Sequence, residues 1–118
     1  MKGAVVAFTR QGAALGARLA QQLEGTLHVP PRLVHETGGT AYYSLADWTE
    51  QMWERMDALI FVGAAGIAVR AIAPHVKDKF TDPAVVSVDE EGKFVIPLLS
   101  GHVGGANKLA LRLAQLTG

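Results

Sequence analysis

The chain has 118 residues, a 49% hydrophobic share, thirteen glycines and no cysteine. That length and apolar share suit a single globular domain with one core, residues 1–118, and argue against disorder. Eleven basic residues balance eleven acidic ones, so bulk charge cannot drive nucleic-acid binding, and the lack of cysteine excludes disulfides and thiolate metal sites. The apolar run after Met1 meets Arg10 too soon for a signal peptide or a membrane span, so a cytoplasmic protein without membrane contact is expected.

In chain order, Gly3 to Phe8 reads as a buried first strand. Thr9 to Gly12 is a turn. Leu15, Leu19 and Leu23 recur every four residues, as in a helix packed on a sheet, and Gly25 ends it. Thr26 to Val29 is a second strand, stopped by Pro30-Pro31. Arg32 to Tyr43 is irregular, with a loop at Gly38-Gly39.

Ser44 followed by Asp47 reads as a capped helix start, with Leu45, Trp48, Met52 and Met56 as the apolar stripe. Asp57 to Val62 is a third, central strand. Gly63 to Gly66 turns into a helix with Ala65, Val69, Ile72 and Val76 on its buried face, ended by Pro74. Lys77 to Pro83 is a polar loop. Ala84 to Val88 and Lys93 to Pro97 are β-rich runs joined by the hairpin signal Asp89-Glu90-Glu91-Gly92. The expected fold is α/β, a three-layer αβα domain. Its sheet is mostly parallel, of about five strands, with an antiparallel hairpin at one edge.

The most informative stretch is Ser100-Gly101-His102-Val103-Gly104-Gly105-Ala106-Asn107. It lies between an apolar run, Phe94 to Leu99, and a helix-like run with Ala106, Leu109, Ala110, Leu113 and Leu116 as its stripe. Glycines there allow close approach of backbone to ligand, and the first N–H groups of the helix point out with the positive pole behind them. That outlines an anion or oxyanion site. Gly63-Ala64-Ala65-Gly66 has the same character, and the two bends are expected to face each other across one crevice.

Histidine is the side chain that titrates near neutral pH, so His102 suits a general base or acid; the plain alternative is a solvent-facing loop histidine. Ser100 lies two residues away, and Asp82 is the acid available to orient the pair. Nothing in the spacing brings Asp82 to them, so a full triad is not expected. No dinucleotide or P-loop glycine pattern occurs. Among the cations, Arg10 follows the first strand, Arg70 lies one turn below Gly66, and Lys108 opens the last helix. A ligand with several carboxylates would want such residues. His28, His35, His75 and His102 lack metal-ligand spacing, so no metal site is expected.

Three segments carry a family resemblance. Phe61 to Pro74, Thr81 to Val86 and Pro97 to Asn107 resemble hallmarks of the CbiG family of anaerobic cobalamin biosynthesis, in the expected order. The match is dense from Asp57 to the end of the chain. The resemblance implies a hydrolase that opens the δ-lactone of cobalt-precorrin-5A, a cobalt tetrapyrrole, and releases a two-carbon fragment as acetaldehyde. The cobalt is carried by the substrate, so no cofactor of the protein's own is implied.

On that reading His102 is the base, with Ser100 and Asp82 as further catalytic candidates. Backbone around Gly101, Gly104 and Gly105, or around Gly63, Ala64 and Gly66, would bind the substrate. Arg10, Arg70 and Lys108 would hold its carboxylates, and Asn107 would orient the lactone or a water. CbiG members are usually longer, so a C-terminal domain or another cobalamin-pathway enzyme is an expected partner. The alternatives are a non-catalytic module binding a tetrapyrrole or a partner, and a plain α/β domain holding a phosphate-bearing metabolite.

Overall fold

A computed structural model describes residues 2–100 and 105–117. It is an α/β domain whose six-stranded sheet has the order β3-β2-β1-β4-β5-β6. The strands are β1 (Gly3–Ala7), β2 (Thr26–Val29), β3 (Thr40–Ala41), β4 (Ala58–Val62), β5 (Ala84–Val88) and β6 (Val95–Leu99). All neighbours run parallel except β5 and β6, which pair antiparallel, Val85 opposite Leu99 and Val88 opposite Val95. The parallel strands share one direction, so the sheet has an amino edge where they begin and a carboxyl edge where they end.

Period-2 alternation divides the core into two halves. Val5, Ala7, Ile60, Val62, Val86 and Val88 face α1 (Arg10–Leu23), α2 (Pro31–Thr37) and α5 (Ala106–Thr117). Ala4, Val6, Leu59, Phe61 and Val85 face α3 (Leu45–Trp53) and α4 (Ala65–Ile72). Strands covered on both faces must be apolar throughout, and β1, β4 and β5 are buried at every position.

The expected three-layer class holds, with two differences of detail. A sixth strand, β3, adds to β2 through Val29 opposite Ala41. The stretch before it, expected to be irregular, forms α2. Pro31 enters at its first position, and Gly38 closes it at φ 73°. Only Leu33 of that helix is buried, so it leaves no periodic stripe in the sequence.

The helix start at Ser44 forms as expected, its hydroxyl accepting the amide of Asp47 at 3.2 Å. The buried face of α4 differs from the one expected. Ala68 and Ile72 are buried, while Val69 and Val76 are about half exposed. The helix is apolar nearly all round, so its sequence holds no contrast to mark which side docks on the sheet.

Candidate functional site

Gly63 and the described ends of the second bend, Ser100 and Gly105, lie at opposite edges of the sheet. Gly63 follows β4 at the carboxyl edge and donates its amide to the carbonyl of Val88 at 2.8 Å. Because β6 runs antiparallel, Ser100 follows it at the amino edge, beside the approach to β5. About five residues of strand, roughly 15 Å, separate the two levels. Among the described residues the expected shared crevice does not form: Ser100 and Gly105, on both sides of the second bend, are held at the amino edge, away from Gly63. One reversed strand decides this, and nothing in either bend's own sequence foretells it.

At the amino edge the structure joins Ser100 and Asp82. Ser100 is buried and left-handed, φ 59°, a conformation a non-glycine residue adopts at a cost. Its hydroxyl donates to the main-chain carbonyl of Asp82 at 3.3 Å. The Asp82 carboxylate is engaged elsewhere, one oxygen accepting the amides of Lys77 at 2.8 Å and Asp78 at 3.0 Å. Asp82 thus closes the loop leading into β5.

The carbonyl of Ser100 accepts the amide of Ala106 at 3.1 Å, which fixes the start of α5. Gly105, at φ 84°, makes the turn that a side chain would strain. The amides of Asn107 and Lys108 follow in the first helical turn, where backbone donors have no partner inside the helix. Gly101, His102 and Gly104 lie outside the described residues. Beside α5 the same edge holds a recess of about 360 Å³, lined by Gly3, Ala58, Ile60, Leu109 and Arg112 among others.

At the carboxyl edge, β1 and β4 are neighbours whose chains diverge to β2 and β5, the switch point where ligands commonly bind in such sheets. Gly63, Ala64 and Gly66 sit there at the start of α4, which has no side-chain cap. The charge nearby is unsuited to a polyanion. Asp89, Glu90 and Glu91 line the open groove of about 530 Å³ against the single cation Lys93. Glu90 also accepts the hydroxyl of Thr9, the residue that caps α1.

Arg10 is on this edge too, and its guanidinium is held by Glu36 through two contacts of 2.9 and 3.1 Å. That hydrogen bond and the attached charge hold the Glu36 carboxyl below its ordinary range and raise Arg10. Arg70 lies in the last turn of α4, exposed, with no hydrogen-bond partner among the described residues.

Of the histidines, His28 is buried in β2 against Trp48, with ring centroids 5.5 Å apart. It shares a 2.9 Å hydrogen bond with Thr26. Burial pushes its imidazole pKa down, which favours the neutral ring. His75 stacks near Trp53 at 5.7 Å. Among the described residues no three His, Asp or Glu side chains gather as a metal site. Sequence reasoning missed Arg112, whose guanidinium reaches the carbonyl of Gln22 at 3.2 Å across the contact between α5 and the end of α1.

These features define a doubly wound α/β domain with one reversed edge strand and a strained, hydrogen-bonded bend at its amino edge. A family model described as "Cobalamin synthesis G N-terminal" matches residues 47–118. The chain belongs to that family. The matched span holds both bends, the Asp82 loop and α5, but not Arg10.

Over 115 residues, 98% of this chain, it is 47% identical to the cobalt-precorrin-5A hydrolase of Salmonella typhimurium, covering 33% of that protein. It is 51% identical over 63 residues to the cobalt-precorrin-5A hydrolase of Priestia megaterium, covering 53% of this chain and 17% of that one. A crystal structure described as a homolog of cobalamin biosynthesis protein G from Sulfolobus solfataricus superposes with a TM-score of 0.74 at 28% identity. It covers 98% of this chain and 34% of the other. The chain thus spans about a third of the length of the Salmonella relative and of the Sulfolobus chain. No helix among the described residues is long and apolar enough to cross a membrane.

Proposed function

We propose that this chain serves the hydrolysis of cobalt-precorrin-5A, with the reaction at its amino edge. One observation carries the reading: 47% identity along 98% of the chain to a cobalt-precorrin-5A hydrolase. The charge distribution favours the amino edge over the other. A substrate rich in carboxylates is repelled by three acids at the hairpin groove, whereas Lys108 and Arg112 stand on the first turns of α5.

Water attacks the lactone carbonyl while a base removes its proton; His102 is the assigned base. Charge develops on the carbonyl oxygen, and backbone amides of the first turn of α5, such as those of Asn107 and Lys108, suit it. The ring C–O bond then breaks, leaving a carboxylate and a freed hydroxyl. Removing the proton of that hydroxyl lets the adjacent C–C bond break, with acetaldehyde leaving and the electron pair passing into the macrocycle. Ser100 and Asp82 serve this scheme by holding the bend, since both are committed to main-chain hydrogen bonds. Arg10 and the Gly63–Gly66 turn belong to the other edge and take no part.

A second reading follows from that commitment. If Ser100 and Asp82 only hold structure, this third of the longer relatives could bind the tetrapyrrole while another domain does the chemistry. Incubating the chain with cobalt-precorrin-5A separates the two. A product heavier by one water, then acetaldehyde, supports hydrolysis here, and His102→Ala then abolishes both. Spectral binding without product supports the binding module.

A further inference from the structure

We infer that Arg112, with Lys108 one turn before it, forms a carboxylate subsite at the mouth of the recess between α1 and α5. The inference rests on the proposal that the ligand is a polycarboxylate tetrapyrrole. The floor of the recess is made by small residues, Gly3 and Ala58, at the starts of β1 and β4. Its volume of about 360 Å³ has room for a carboxylate arm and part of a ring, not for a whole macrocycle.

Arg112 is exposed at the recess and anchored by one nitrogen on the carbonyl of Gln22 at 3.2 Å. A guanidinium has five N–H donors in a fixed plane, so anchoring one aims the others. None of those others meets a protein acceptor among the described residues. Lys108 precedes it by four positions and so shares its helix face. Helix α5, Ala-Asn-Lys-Leu-Ala-Leu-Arg-Leu-Ala-Gln-Leu-Thr, has no acid to neutralise either.

Like charges at that spacing disfavour the helix slightly, so helix stability does not account for the pair. Glu24 also lines the recess and opposes an anion. Within the lining it faces Arg112 alone, and Lys108, one turn away outside the lining, adds the second positive charge. The face shared by Arg112 and Lys108 points back toward the start of α5 and the Ser100 bend, so an arm held by Arg112 leaves the ring on the side of the proposed chemistry.

The test uses this chain and uroporphyrin, a flat tetrapyrrole with acetate and propionate arms, followed by the porphyrin's fluorescence anisotropy. Wild type binds, more weakly as salt rises. Arg112→Gln weakens binding by about tenfold or more, since a charge-assisted pair is lost. Arg112→Lys recovers part, Lys108→Gln weakens it less, and Arg55→Gln, on the opposite layer, changes nothing. Circular dichroism checks that each variant is folded, and Lys108→Gln, which removes no side-chain hydrogen bond or ion pair among the described residues, decides the matter if Arg112→Gln is not.

Porphyrin binding equal to wild type in folded Arg112→Gln, or a wild type that does not bind, overturns the subsite. If porphyrin binding depends on Arg112 but cobalt-precorrin-5A is not opened, the hydrolase reading falls and the subsite stands. If wild type turns over and Arg112→Gln matches it in KM, the subsite alone falls.

Discussion

Ser100 reaches the main-chain carbonyl of Asp82, not its carboxylate, across 3.3 Å at the amino edge. The carboxylate instead accepts the amides of Lys77 and Asp78. Asp82→Ala leaves those two amides without their acceptor and is expected to cost about 2–3 kcal/mol. Asp82→Asn keeps an oxygen in place and costs less. Urea denaturation measures both. A folded Asp82→Asn with unaltered lactone opening removes Asp82 from proton transfer, whereas inactivity without loss of stability would give the carboxyl a chemical role.

Gly63 and Gly66 frame the same turn but tolerate change differently. A Cβ on Gly63 would lie 2.8 Å from the Phe8 ring, at φ 157°. Gly63→Ala is expected to destabilise by about 1–3 kcal/mol. A Cβ on Gly66 meets nothing within 4 Å, and Ala there is neutral or stabilises by up to about 1 kcal/mol through helix propensity. Thermal melts of the two variants give the order. A Gly66→Ala protein that is stable yet fails to turn over would restore the carboxyl edge as the place of binding.

His28 ties stability to pH. Burial holds its folded pKa below the ordinary 6.5. Well above that value the ring is neutral in both states and contributes no pH dependence. As pH falls through 6.5 the unfolded chain takes up the proton first, so stability falls until the lowered folded pKa is reached. The urea midpoint should therefore drop as pH falls from about 7.5 through 6.5. His28→Gln should flatten that interval; an equal drop in the variant would place the titration elsewhere.

Arg10 and Glu36 form a bidentate but exposed pair. Exposed pairs are screened by water and salt, so Arg10→Gln should leave the denaturation midpoint almost unchanged. With Arg10 at the carboxyl edge, KM for the lactone substrate should be unchanged as well. A raised KM with the fold intact would return Arg10 to the substrate site.

Much of this fold was legible in the chain itself. Continuous apolar runs mark β1, β4 and β5 because strands covered on both faces have no polar side to show. The Ser44 cap and the Leu15–Leu19 spacing mark helices through local hydrogen bonding and the 3.6-residue period. The segments Phe61 to Pro74, Thr81 to Val86 and Pro97 to Asn107 carry the family resemblance. Helix α2 and strand β3 were not legible, since each is short and contributes only a few side chains to the core.

What the sequence could not determine was which bends meet. Gly63 and Ser100 each end an apolar strand before a helix, and local physics treats them alike. The direction of β6 alone sends Ser100 to the opposite edge, and that direction is set by pairing with β5 across the sheet. Arg112 is the converse case: an unremarkable cation on a helix face, brought to the recess because α5 packs beside the end of α1. Local propensity and periodicity set the elements; long-range strand pairing and helix docking chose the neighbours.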